Sequence, residues 1–282
     1  MPVVPQPKPL LKAGEPIPHT KLDGDAPWPC LLVSDHASAR IPAELGDLGL
    51  GREALASHLA CDLGSGALTK ELAAAMNLPA VLCNYSRLVV DCNRSLDDPT
   101  AFLTFSDGTR ITGNCDLSHA DRKRRADAIY WPYHEAVAAA LRELETAGQR
   151  AILISIHSFT PVLDGIHRPW DAGLLWDKDE RLAQALLDGL SLYPELRVGD
   201  NVPYSGRSSA DFTVDYHGEA ADRAHVALEI RQDHLATATG ISAWAERLAR
   251  VLAKALDEPA NYAPRPAEFE RQKTLRAAAQ VG

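Results

Sequence analysis

The sequence predicts an α/β fold, a sheet covered on both faces by helices. Three observations carry that reading. Short apolar runs alternate with longer amphipathic stretches from Pro29 onward. The runs are apolar throughout, as strands buried on both faces are. The 282 residues, 46% hydrophobic and 24% charged, suffice to bury one sizeable core.

The elements follow in chain order. Residues 1–28 hold seven prolines and little periodicity, which predicts an extended arm packed on the domain or partly mobile. Residues 29–258 form a single α/β domain of hydrolase type, with strands expected at 30–35, 79–85, 151–156, 171–176 and 225–231. Helices are expected at 53–76, 118–148, 179–190 and 241–257. The second begins on a capping box, Ser118 with Asp121, and its basic run Arg122–Arg125 reads as a solvated face. Pro132 should kink that helix or mark a second start. The last helix carries apolar residues at three- and four-residue spacing, a plain packing face. Residues 259–282, rich in Pro, Ala, Arg and Gln, predict a peripheral helix or frayed end.

Composition narrows the function. A formal net charge of -9 argues against nucleic-acid binding, although a few arginines can still make a local anion pocket. Five cysteines, odd in number and without a CxxC pair, fit reduced, buried thiols. There is no secretory h-region and no apolar run of membrane-spanning length, so a cytoplasmic protein, a monomer or homodimer, is expected.

Chemistry gathers at the strand ends, where open α/β sheets bind ligands. Two apolar runs end in histidine: CLLVSDHAS, with His36, and AILISIHSFTP, with His157 followed by Ser158, a candidate for substrate binding. Either imidazole alone is as well explained by a structural hydrogen bond. Together, at equivalent strand ends, they suggest a metal centre, whose catalytic form takes three protein ligands and leaves a position open. Asp62, a lone acid among apolar and small residues, is chosen as the third ligand, the alternative being a buried acid that caps a loop. Asp35 could orient His36 from behind. In YSRLVVDCNR, Arg87 and Arg94 offer forks of donors suited to a carboxylate, with surface ion pairs as the alternative. Asn93 could hold a polar substrate group or shape the turn. In HVALEIRQD, Glu229 sits inside a hydrophobic strand, where an acid is costly unless paired and its pKa can be tuned for proton transfer. A Glu229–Arg231 ion pair is the bland reading. The loop from Gly199 to Gly206 carries Tyr204 and could close over a ligand. His217 is a weaker candidate for substrate binding, and the other histidines are assigned structural or exposed positions.

Taken in order, YSRLVVDCNR, SIHSFTP, DNVPYSG and ALEIRQD resemble the N-formylglutamate amidohydrolase family across roughly residues 29–235. The resemblance implies a three-layer α/β/α sandwich around a mixed, mostly parallel sheet, like that of the zinc carboxypeptidases. It implies one zinc ion on His36 and His157, with Glu229 as acid/base. Arg87, Asn93 and Arg94 become the group that binds substrate or stabilises the transition state. Ala39 stands where the carboxypeptidases carry their ligating glutamate, so the third ligand is not carried over and Asp62 rests on its surroundings. Ala37-Ser38 follows His36 where the family more often has Ser-Gly, which suggests a divergent branch with a different acyl substrate.

The implied substrate is a small anionic N-acyl amino acid such as N-formyl-L-glutamate, whose cleavage ends a histidine-degradation route in this family. Its two carboxylates call for two cationic anchors, for which Arg87 and Arg94 are the candidates. Competing readings are a zinc hydrolase of another N-acyl amino acid or short peptide, and a non-catalytic binder of an anionic small molecule.

Overall fold

The computed structural model describes residues 9–146, 148–208 and 211–264. Expectations for the first eight residues and for the tail beyond residue 264 lie outside the described residues. Seven strands form one sheet: β1 (His19–Leu22), β2 (Cys30–Ser34), β3 (Ala80–Cys83), β4 (Ile152–Phe159), β5 (Ala172–Leu175), β6 (Val198–Asp200) and β7 (His225–Arg231). Their order is β1-β3-β2-β4-β7-β5-β6. β3, β2, β4 and β7 run parallel, as do β5 and β6. β1 joins β3, and β5 joins β7, antiparallel. The sheet is therefore mixed and mostly parallel.

Successive residues of each strand feed opposite cores. Leu32, Leu82, Ile154 and Leu228 face α1 (Ser65–Met76), α4 (Arg181–Leu190) and α6 (Ala238–Leu256). Leu31, Val33, Val81 and Leu153 face α3 (Trp131–Leu144) and α5 (Phe212–His217). The result is the three-layer α/β/α sandwich. All five cysteines are free. Among the described residues no helix is long and apolar enough to cross a membrane.

Several elements differ from expectation for identifiable reasons. The stretch expected as one helix over 53–76 breaks into a short turn at Arg52–Leu55 and α1, separated by a loop that carries Asp62. Gly64 ends that loop at φ 84, a left-handed conformation that suits glycine. A Cβ there would stand 2.4 Å from the Leu235 Cβ. The expected helix 118–148 starts on its capping box as α2 (His119–Arg125), passes through a π-helical turn at Ala126–Tyr130, and restarts at α3 with Pro132 in the first turn. Pro132 lacks an N–H to continue the ladder, which fits the wider turn before it. Within the basic run, Arg125 is buried, donating to the Val89 and Gly113 carbonyls and to Asn114 Oδ1 at 3.1, 3.1 and 2.6 Å. The edge strands β1 and β6 have no counterpart in the sequence reading, and β4 runs to Phe159, so His157 lies within a strand instead of at its end.

Candidate metal centre

β2 ends at Ser34, and the turn that follows presents His36 beyond the sheet's carboxyl edge. The neighbouring strand β4 presents His157, and the loop before α1 presents Asp62. One ligand atom from each of these buried side chains lies within 4.8 Å of the others. Both histidines turn Nδ1 toward Asp62 Oδ2, at 3.4 Å for His36 and 2.9 Å for His157. Each is held from behind through Nε2. Asp91 Oδ1 stands 2.7 Å from that of His36, while Ser155 Oγ and Asp35 Oδ2 stand 2.8 and 3.4 Å from that of His157. Asp35 is itself fixed by the Thr213 hydroxyl at 2.8 Å. Carboxylates behind ligating imidazoles are the arrangement that fixes ring orientation at metal sites. Asp35 thus stands behind His157, and Asp91 takes the place proposed for it behind His36.

The electrostatics of the cluster favour positive charge. Burial and the Arg87 charge press the His36 pKa down, yet Asp91 and Asp62 outweigh them and the net shift is upward. Burial likewise opposes charge on His157, but hydrogen bonds to Asp35 and Asp62 carry it well above the ordinary histidine value. Burial would raise Asp62, and the two imidazoles instead pull it far below the usual carboxylate range. Three acids surround the histidines, so the cluster draws protons where a divalent ion would meet the same field. The donor set, one carboxylate and two imidazoles with fixed second nitrogens, fits such an ion.

The centre opens into a cavity of about 200 Å³ whose wall includes His36, Asp62 and His157. Glu229, Arg87, Asn93, Arg94, Ser158 and Tyr204 complete its predicted lining. Glu229 pairs in register with His157 across the parallel β7–β4 ladder, so the two side chains share a face. Its Oε2 is buried and, among the described residues, has no hydrogen-bond partner. Burial raises its pKa most, His157 pulls it back, and Asp62 and Asp211 add repulsion, leaving it at about 8. The Glu229–Arg231 pair does not form: Arg231 engages Asp233 at 2.8 Å and Asp171 at 3.0 Å.

YSRLVVDCNR is a sequence of turns, with the Val89 N–H donating to the Ser86 carbonyl and the Arg94 N–H to that of Asp91. The turns bring Arg87 and Arg94 to one cavity although they are seven positions apart. Arg87 donates to Asp91 Oδ2 at 2.7 Å and lies 3.7 Å from Asp62 Oδ1. Arg94 donates to the Asn93 carbonyl at 2.9 Å, and the Asn93 side chain accepts from the Thr213 N–H at 2.9 Å. Ser158 donates its hydroxyl to the Leu63 carbonyl at 2.8 Å, pinning the Asp62 loop.

His217 is not brought to this cavity. It is buried at the end of α5, where its Nε2 faces His134 Nδ1 at 3.0 Å, and burial lowers its pKa to about 3. Two residues of the site carry no mark in the sequence. Asp91 stands inside a motif read for its arginines. Asp211 lines the cavity, buried, with Oδ1 unpartnered among the described residues and its pKa raised by burial. A larger hollow of about 520 Å³, between Pro9–Leu11 and the helical residues 123–128, is mainly apolar and contains no histidine.

The family model described as N-formylglutamate amidohydrolase matches residues 28–236. Among solved structures, the chain is similar to a gene product of Agrobacterium tumefaciens at 36% identity, with 88% of this chain and 98% of that chain covered and a TM-score of 0.84. It shares its fold with the N-formylglutamate amidohydrolase of Ralstonia eutropha JMP134 at 20% identity, 84% and 97% coverage, and a TM-score of 0.63. A search among curated proteins finds no match.

Proposed function

Because the chain belongs to the N-formylglutamate amidohydrolase family, we propose that it hydrolyses the amide of a small N-acylated amino acid, with N-formyl-L-glutamate as the leading substrate and formate and the free amino acid as products. The observation that carries the reading is the convergence, in one small cavity, of the His36–Asp62–His157 cluster, a buried Glu229 whose Oε2 has no hydrogen-bond partner among the described residues, and a fixed Arg87. A zinc ion held by His36, Asp62 and His157 would, when bound, polarise the amide carbonyl and acidify water.

The side chains supply the remaining work. Glu229 takes a proton from the attacking water and delivers it to the leaving nitrogen, help that is typically worth about 10²–10⁴-fold in rate. Its raised pKa makes the deprotonated carboxylate a stronger base than a solvated glutamate. Arg87, locked by Asp91, donates to the carbonyl oxygen as negative charge develops, a contribution of about 3 kcal/mol by analogy with other oxyanion donors. Asn93 and Arg94 bind the α-carboxylate and orient the amide over the centre. The buried wall limits bulk water, which strengthens each of these interactions.

The test combines metal content with formate release from N-formyl-L-glutamate, in the purified protein and in His157→Ala. About one equivalent of zinc, lost together with activity in the variant and on chelation, is the expected result. Full activity in demonstrably metal-free protein would overturn the metal-dependent reading. Absence of formate release from every N-formyl amino acid tested would overturn the substrate class.

A further inference from the structure

The cavity's inner cations are already committed. Arg87 is engaged by Asp91 and Asp62 beside the reacting carbonyl, and Arg94 is assigned to the α-carboxylate. Three acids, Asp62, Asp211 and Glu229, line the same interior. A substrate side-chain carboxylate placed deep would meet like charge.

The mouth differs. Arg168 follows a two-stranded hairpin, Val162–Leu163 with Ile166–His167, and its N–H returns to the Pro161 carbonyl at 2.9 Å. Its guanidinium donates to the Tyr204 hydroxyl at 2.8 Å and lies 4.7 Å from the centre of that ring and 6.0 Å from that of Phe159. Tyr204 lines the cavity, and Arg168, which is not part of that lining, adjoins it through this contact. Among the described residues no carboxylate pairs with Arg168. Guanidinium only donates, so the Tyr204 oxygen accepts from it and the hydroxyl proton is left for another acceptor. Stacking on aromatic faces holds the fork in place before a ligand arrives.

We propose that Arg168 and the Tyr204 hydroxyl form the specificity subsite for the substrate's side-chain carboxylate. This rests on the amidohydrolase reading and deepens it, because it selects N-formyl dicarboxylic amino acids over neutral ones. It also reassigns the second anion anchor from Arg87 to Arg168, leaving Arg87 to the reacting carbonyl.

The test uses N-formyl-L-glutamate and N-formyl-L-glutamine, which match in shape and differ in charge. In Arg168→Gln, the ratio of kcat/KM for the acid over the amide falls about 10–100-fold, as loss of a charged hydrogen bond implies, and Arg168→Lys recovers part of it. Binding of both compounds to Glu229→Gln, with and without Arg168→Gln, is measured by calorimetry and changes in the same sense. Equal losses on both compounds, or no charge preference in either kcat/KM or Kd, overturn the subsite. Arg168-dependent preference for the acid without formate release would sink the catalytic reading and leave the subsite standing. Robust but charge-blind hydrolysis would do the reverse.

Discussion

At the scale of single residues, the centre consists of acids and imidazoles whose protonation each neighbour alters. Asp91 illustrates this, because one carboxylate contacts both His36 and Arg87. Asp91→Asn is expected to weaken metal affinity about 10–100-fold, as loss of the group behind a ligating histidine does. A competition titration against a chelator checks it, and unchanged affinity would remove Asp91 from its supporting role. Glu229 carries a pH signature. Its carboxyl sits near 8 without an ion, and a nearby divalent cation favours the charged form. The acid limb of kcat/KM in the metal-loaded enzyme should therefore fall below pH 8, with activity lost as pH drops through it. Glu229→Gln should lower kcat by about 10²–10⁴-fold with metal content unchanged. Near-wild-type turnover in that variant would end the general-base assignment. His36, His157, Asp62 and Glu229 were legible because each is a polar residue in an apolar or small-residue stretch, where burial needs a reason. His217 has polar neighbours and gave no such contrast, and its pairing with His134 is purely tertiary. Asp211 is brought to the cavity from far along the chain and has no local pattern.

At the scale of elements, local chemistry set the starts and tertiary contacts set the breaks. The Ser118–Asp121 capping box was readable because both partners lie within four residues, and it forms as read. Ser118→Ala should cost about 1 kcal/mol in urea unfolding, whereas a cost near zero would mean that tertiary packing alone holds that start. The break before α1 was invisible because the apolar spacing continues through it. The loop ends at Gly64, which adopts φ 84 against Leu235 and needs a residue without a side chain. Gly64→Ala should destabilise the fold by about 1 kcal/mol or more and loosen the loop that aims Asp62. A variant with wild-type stability and metal affinity would show that the loop tolerates another path. The edge strands β1 and β6 escaped notice since four and three residues beside prolines and turn formers leave no period to read.

At the scale of the whole molecule, the sheet covered on both faces was legible from alternation alone, whereas its division into two cores and its strand order were not, since they depend on which crossovers pack. Stability should respond to pH through the buried pair His134 and His217, whose pKa values are lowered to about 4 and about 3, in each case chiefly by burial. As pH falls below the unfolded value near 6.5, the unfolded chain takes up these protons first, so the pair's contribution to stability declines toward pH 4. His217→Asn should flatten the slope of unfolding free energy against pH by up to about 1.4 kcal/mol per unit in that window. An unaltered slope would mean that the imidazole is solvated. Metal should act on the whole fold as well, since zinc at about 1,000 times its Kd adds about 4 kcal/mol to stability. That gain should vanish in His157→Ala.

β2, β4 and β7 are consecutive neighbours at the middle of the sheet, and the turn after β2 gives His36, β4 gives His157 and β7 gives Glu229. The complete centre therefore exists only once pairings distant in sequence have closed, which are the slow contacts in folding. A cobalt ion offered to the refolding chain would act as a clock: a change in its visible absorption would develop with the closing of the central ladder and not before it. A chain truncated ahead of β4 would leave the ion's spectrum as it is in water.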